Sequence, residues 1–204
     1  MIKNVIFDLG NVVLKLKWEK VLNRYSDNET DIQTLKTVIF DSDEWKELDN
    51  GTIEKNDAIN IMLSKLPKNL HEACKNIMVN WRDGLVINNE IISFIESIKL
   101  QGYKTYVLSN APHEIPEYLT NNDLNKYFDG QIISAQEKVS KPERKIYEIL
   151  LDRYSLNPEE SLFLDDKKEN IEAAIDCNIN GYVFDYNNYN TFLTDIRESY
   201  NIII

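Results

Sequence analysis

Apolar residues recur along this chain with two different periods, and the change between them divides it. The N-terminal run IKNVIF reads as a strand that ends on a carboxylate, Asp8, with Gly10 and Asn11 just beyond. From residue 18 to residue 82 the period is helical: WEKVLNRYS, DIQTLKTVIF, NDAINIMLSKL and LHEACKNIMVNW each space their apolar positions by three and four. Asp31 and Asn56 stand where helix caps are expected. Little in this block reads as strand.

Beyond it, strands and helices alternate. NEIISFIESIKLQG is a helix stopped by Gly102, and YKTYVLSN is a strand with a polar end. DGQIISAQ is another strand, ending near Ser134. PERKIYEILLDRYSL is a helix with Pro142 near its first turn. SLFLDD is a strand closed by two carboxylates, KKENIEAAIDCN a helix, NGYVFD a strand, and YNTFLTDIRES the last helix. The terminal Ile202-Ile203-Ile204 is either a final strand or a fraying end. Alternation of this kind implies parallel pairing with right-handed crossovers. The expected fold is α/β, a parallel sheet with helices on both faces and an all-helical block inserted after the first strand. The expected boundaries are 1–16 and 85–204 for the core and 17–84 for the insertion.

Composition narrows the partners. A length of 204 residues suits one core with an insertion. With 34 acidic against 23 basic residues the net charge is −11, and no basic stretch stands out, which argues against nucleic-acid binding by counterion release. Cys74 and Cys177 are far apart in helix-like stretches, as expected of buried thiols in a reducing compartment. No signal-like N-terminus is visible, and no run approaches the ~18 apolar residues of a membrane span. The expectation is a cytoplasmic protein with no membrane partner, monomer or homodimer.

The candidate chemistry lies where the strands end. In open parallel sheets, ligands bind beyond the carboxyl ends of the strands. Those ends supply Asp8, Ser109-Asn110, the loop leading to Lys141, and Asp165-Asp166. A carboxylate can attack phosphorus, and paired carboxylates need a hard cation before they can face a phosphate. An ammonium and a hydroxyl neutralise and cradle the transferring group.

These stretches resemble the haloacid dehalogenase (HAD) superfamily, whose members are mostly Mg-dependent phosphatases. Four motifs match in order: VIFDLGNVV at 5–13, YVLSN at 106–110, SKPERKIY at 140–147 and LFLDDKKENIEAA at 162–174. The DLGNV form and the length resemble the small bacterial sugar-phosphatases acting on glucose-1-phosphate. The resemblance implies a Rossmann-like core, with the helical block as a cap, and a small phosphorylated metabolite as substrate. It implies that Asp8 is the nucleophile and a metal ligand, Gly10 gives a carbonyl to Mg2+, and Asp166 is the second carboxylate ligand. Ser109 and Asn110 would hold the phosphoryl group, Lys141 would neutralise it, and Asp165 and Asn170 would orient this shell.

Gly10 departs from the pattern. Most phosphatases of the superfamily carry an aspartate there, which protonates the leaving alcohol and then activates water. General acid–base help is worth ~10²–10⁴-fold. Three readings stay open: a phosphatase with another acid or a good leaving group such as an anomeric oxygen, a metal-independent 2-haloacid dehalogenase, or a phospho-ligand binding module with little turnover. His113, after the Ser109-Asn110 loop, and Trp45 are further pocket candidates, as are Lys15 and Arg82 for a charged substrate. DEWKELDNGTIEKNDA, with Gly51 as a reversal between two helices, reads as a solvated acidic turn.

Overall fold

A computed structural model describes residues 1–203. Its centre is a five-stranded parallel sheet in the order β5-β4-β1-β6-β7. The strands are β1 (Asn4–Phe7), β4 (Lys104–Ser109), β5 (Gly130–Ile133), β6 (Ser161–Asp165) and β7 (Asn180–Val183). Both faces of this sheet are covered, so the strands need no alternation of apolar and polar residues. The pleat sends alternate side chains to opposite faces. Val5, Phe7, Val107, Leu162 and Leu164 enter one apolar cluster, and Ile6, Tyr106, Leu108 and Phe163 enter the other. Helices α6 (Asn89–Leu100) and α11 (Tyr189–Tyr200) cover the first face, α9 (Arg144–Tyr154) and α10 (Lys168–Ile175) the second.

The chain turns outward from β1 to β4 on one side and to β6 on the other. The carboxyl ends of these three neighbouring strands therefore form the crevice at the switch point of the sheet.

Between the core segments lie α1 (Trp18–Leu22), α2 (Glu29–Ile39), α3 (Asp43–Asn50), α4 (Lys55–Lys65) and α5 (His71–Asn80). They enclose an apolar cluster of their own, which includes Leu22, Leu35, Ile39, Met62 and Ile77. The two crossings into this block are tied together as an antiparallel ribbon, β2 (Leu14–Leu16) with β3 (Leu85–Ile87).

Several local expectations change. α2 is capped by Asn28, whose side chain accepts from the Thr30 and Asp31 amides, so Asp31 lies inside the first turn. Asn56 likewise lies inside α4, whose cap position is Glu54. β5 stops at Ile133 because Ser134–Glu137 winds into a short helix, α8. Pro142 precedes α9 rather than opening it, since the helix begins at Arg144. Ile202 and Ile203 form no strand, and Ile204 lies outside the described residues. Among the described residues no helix is long and apolar enough to cross a membrane.

Candidate active site

Asp8 continues the sheet one residue past β1, its amide donating to the Leu164 carbonyl at 2.9 Å. That fixes the backbone of the first carboxylate at the mouth of the crevice. Lys141 reaches it from the loop before α9. Its Nζ lies 2.9 Å from Asp8 Oδ1, 2.6 Å from Asp165 Oδ2 and 2.9 Å from the Leu108 carbonyl, so all three ammonium protons have acceptors. Asp165 also accepts twice from the Asn170 amide, at 3.0 and 2.9 Å, and from the Lys167 N–H at 2.8 Å. Lys141, Asp165 and Asn170 are all buried. A buried charge set of this kind is tolerable only when its members satisfy one another.

The titration of the set follows from this packing. Burial pushes Asp8 up to about 6, with the Lys141 charge opposing and the Asp165 charge adding to the effect. Burial also works against the Lys141 charge, but Asp8 and Asp165 outweigh it and hold that ammonium above its ordinary pKa.

Ser109, the last residue of β4, is buried, and its hydroxyl stabilises the Asp8 carboxylate. Asn110 has a structural task besides the one expected. Its side chain clamps the Lys141 backbone, accepting from the amide and donating to the carbonyl, both at 2.8 Å. It braces the lysine loop with one of its two amide N–H groups, and Asn110 also lines the cavity described below. Asp166 is only partly buried and faces Asp8. Oxygens of Asp8, Asp165 and Asp166 all lie within 4.8 Å of one another, a group that could hold a cation among the described residues.

Two residues that sequence reasoning missed complete the site. Asn11 adopts a left-handed φ of 53° and donates to Asp166 Oδ2 at 2.9 Å, so it aims the second carboxylate. Asparagine is among the few residues that enter this region readily, and its place directly after Gly10 was the available clue. The second is Asp49, at the end of α3. With Trp45 and Trp81 it lines a cavity of about 200 Å³ whose opposite wall contains Gly10, Ser109 and Asn110. The expected solvated turn is therefore docked on the core. Gly51, at φ 65°, lies so close to the Ala135 backbone that a Cβ would overlap its carbonyl at 2.2 Å. The Ser134 hydroxyl donates to the Asp49 carbonyl, and the Ser140 hydroxyl to Asn50 Oδ1.

Of the other candidates, Trp45 lines the cavity and packs edge-on against Trp81 with ring centroids 5.2 Å apart. His113 is exposed and lies outside the cavity lining, because the chain turns away after Pro112. Lys15 sits over the Tyr186 ring and Arg82 pairs with Glu117, so both are engaged elsewhere.

Comparison with known proteins agrees with this architecture. The family profile described as haloacid dehalogenase-like hydrolase matches residues 2–178. The sesquiterpene phosphatase astK of Aspergillus oryzae is 30% identical over 179 residues, 84% of each chain. A D-ribitol-5-phosphate phosphatase of Bacteroides thetaiotaomicron is 25% identical over 194 residues, 85% of this chain and 87% of the relative. A crystal structure of a HAD-family enzyme from Bacteroides thetaiotaomicron, a mutant in complex with magnesium and inorganic phosphate, superposes with a TM-score of 0.72. It covers 91% of this chain and 95% of that one at 22% identity, a likeness of fold. With the four motifs folded onto one sheet edge, the chain belongs to the haloacid dehalogenase-like hydrolases.

Proposed function

We propose that this protein hydrolyses phosphomonoesters of small metabolites through an aspartyl phosphate on Asp8. The observation that carries the reading is the Asp8–Lys141–Asp165 cluster, with Asp166 beside it and with Leu9 and Gly10, next along the chain from Asp8, lining the cavity together with Ser109. Asp8 is the member of that cluster whose side chain keeps some exposure, 10% against 1% for Lys141 and 0% for Asp165, and its neighbours hold it in one orientation. A carboxylate so placed is a nucleophile for an ester bound in the cavity. Lys141 offsets the charge that gathers as the Asp8 oxygen approaches a phosphoryl dianion, and the Ser109 hydroxyl donates to the phosphoryl oxygens. Asn110 and Asp165 keep the lysine in place.

The donor set fits Mg2+. All nearby ligand atoms are hard oxygens. Asp165 already accepts from Lys141, Lys167 and Asn170, so Asp8 and Asp166, with the Gly10 carbonyl, are the residues that would hold the ion. When bound, it supplies charge neutralisation at the phosphoryl group. The magnesium and phosphate in the Bacteroides enzyme support the assignment. A dehalogenase reading leaves Asp166, aimed toward Asp8 by Asn11, without a role.

We assign 17–84 as a cap that closes over the site on the β2–β3 ribbon, and its inner wall as the part that selects the alcohol. Two classes of alcohol have support. The ribitol phosphate relative favours a sugar or polyol phosphate. The lining of Leu9, Leu14, Leu16, Trp45, Trp81, Leu85 and Ile115 favours an apolar alcohol, in line with the sesquiterpene phosphatase. At about 200 Å³ the cavity is below the usual ligand-site range of roughly 300–1,000 Å³, so in the closed form it suits a small substrate.

The test is phosphate release from a panel of sugar, polyol, alkyl and prenyl phosphates with Mg2+, with halide release from 2-haloacids measured beside it. Phosphate release that EDTA suppresses is expected. Halide release alone, or tight phosphate-ester binding without turnover, would contradict the proposal.

A further inference from the structure

The side chain absent at Gly10 leaves the core without a carboxyl to protonate a departing alcohol, and the opposite wall of the cavity holds one. Asp49 lines the same cavity as Gly10 and Ser109. Its backbone is anchored to the core through Gly51 against Ala135 and through the Ser134 hydroxyl. Its carboxyl, by contrast, takes part in no hydrogen bond or ion pair among the described residues. Asp49 is the one carboxylate among the lining residues, and the carboxylates of the neighbouring core are engaged: Asp8 and Asp165 by Lys141, Asp166 by Asn11, and Glu114 by Lys55 at 2.8 Å. A half-buried carboxyl that has no partner and lines a reaction cavity is a poor structural element and a suitable acid.

We propose that Asp49 donates the proton to the leaving oxygen and then serves as base for the hydrolytic water, acting from the cap in place of a side chain at position 10. This rests on the phosphatase reading above. In the first step an Asp8 oxygen bonds to phosphorus as the bond from phosphorus to the alcohol oxygen breaks, and the Asp49 proton passes to that oxygen. The products are the alcohol, the aspartyl phosphate and an Asp49 carboxylate. In the second step Asp49 takes a proton from water while the water oxygen bonds to phosphorus and the bond to Asp8 breaks. Phosphate leaves, and both aspartates return to their starting states. One water is consumed and no other co-reactant is required.

The surroundings suit this cycle. Burial is the main influence raising Asp49, to about 8. The Lys167 charge before α10 opposes it, and Asp8 beyond β1 and Glu114 before α7 (Ile115–Asn121) add to it. The group is thus mostly protonated near neutral pH and can still release its proton to an alkoxide-like oxygen. Because the acid belongs to the cap, the complete catalytic set exists only when the cap is docked.

The experiment compares wild type with Asp49→Asn, using an alkyl phosphate and dinitrophenyl phosphate with Mg2+. Dinitrophenolate departs without a proton. The variant should lose about 10²–10⁴-fold on the alkyl ester. On the dinitrophenyl ester it should give a burst of one dinitrophenolate per site, then slow turnover, because the base for the second step is gone. That burst also reports a folded protein with a working nucleophile. The fall in wild-type kcat/KM above pH about 8 should vanish in the variant. As a second variant, Asp49→Ala should regain alkyl phosphatase activity when formate is added. Full activity of Asp49→Asn on the alkyl ester would overturn the assignment, as would equal losses on both esters without a burst, or no recovery of Asp49→Ala with formate. A wild type inert on both esters would instead overturn the phosphatase reading, and this inference with it.

Discussion

The two walls of the cavity are built on different rules. Behind the core wall, which Gly10, Ser109 and Asn110 line, Asp8, Lys141, Asp165 and Asn170 are buried and satisfy one another, Asp8 and Asp165 at strand ends, Lys141 before α9 and Asn170 in α10. On the cap wall, Trp45 and Trp81 present apolar surface, and Asp49 presents a carboxyl with no partner. The first wall is held by the sheet. The second is held by a helix end that packs on the core through a glycine and two hydroxyls, and by the Lys55–Glu114 and Arg82–Glu117 ion pairs. A rigid charge set can fix the phosphoryl chemistry, while a separately packed wall can change the alcohol it accepts without disturbing that set.

The largest test of the contrast removes the nucleophile. Asp8→Asn should lower turnover by about 10⁴–10⁶-fold, the scale seen when a catalytic nucleophile is deleted, while phosphate still binds; steady-state kinetics and phosphate titration would show both. Lys141→Met should act on the fold as well as the rate. It leaves Asp8 and Asp165 buried without their cation, a loss of roughly 3–5 kcal/mol readable in urea denaturation. A variant as stable as wild type would mean that the core wall is not the interlocked unit described above.

Changes to the cap wall should be milder and more selective. Trp45→Ala should alter relative kcat/KM among alcohols by about 10–200-fold, the usual span for apolar pocket contacts, with inhibition by inorganic phosphate unchanged. Uniform loss across all substrates would place Trp45 outside specificity. Asp49 gives a further contrast through pH. Its folded pKa of about 8 exceeds the ordinary 3.8, so between these values the folded chain keeps a proton that the unfolded chain has released. Stability from this group therefore falls as pH rises across that window. Asp49→Asn should melt higher than wild type near its upper end and equally near its lower end. The smallest effect is expected from Gly10→Ala. A Cβ there would meet only Asp8 Oδ2, at 3.7 Å, so rate and stability should change little.

Much of the core wall was legible in the sequence, because strands that end in polar residues in a parallel sheet must bring those residues to one edge. Asp8, Ser109, Lys141, Asp165 and Asp166 all lie there. The loop-bracing part played by Asn110 was not legible, since a side chain that can bind a ligand can equally bind the backbone of a neighbouring loop. Asp49 was hidden for a stronger reason. Helical period and turn chemistry describe α3 and Gly51 locally, and both suit an exposed reversal. What buries the turn is its contact with Ala135, Ser134 and Ser140, residues about 85–90 positions away. No local pattern carries that information. His113 failed in the opposite sense: proximity in sequence to Ser109 suggested reach, but the chain direction after Pro112 carries it to the surface.

The most direct measurement is to acid-quench Asp49→Asn during turnover of dinitrophenyl phosphate and locate any phosphoryl group by peptide mass spectrometry. A hydroxylamine-labile phosphate on Asp8 is expected. A phosphate on another residue, or turnover with no phosphoprotein at any time, would contradict Asp8 as the nucleophile.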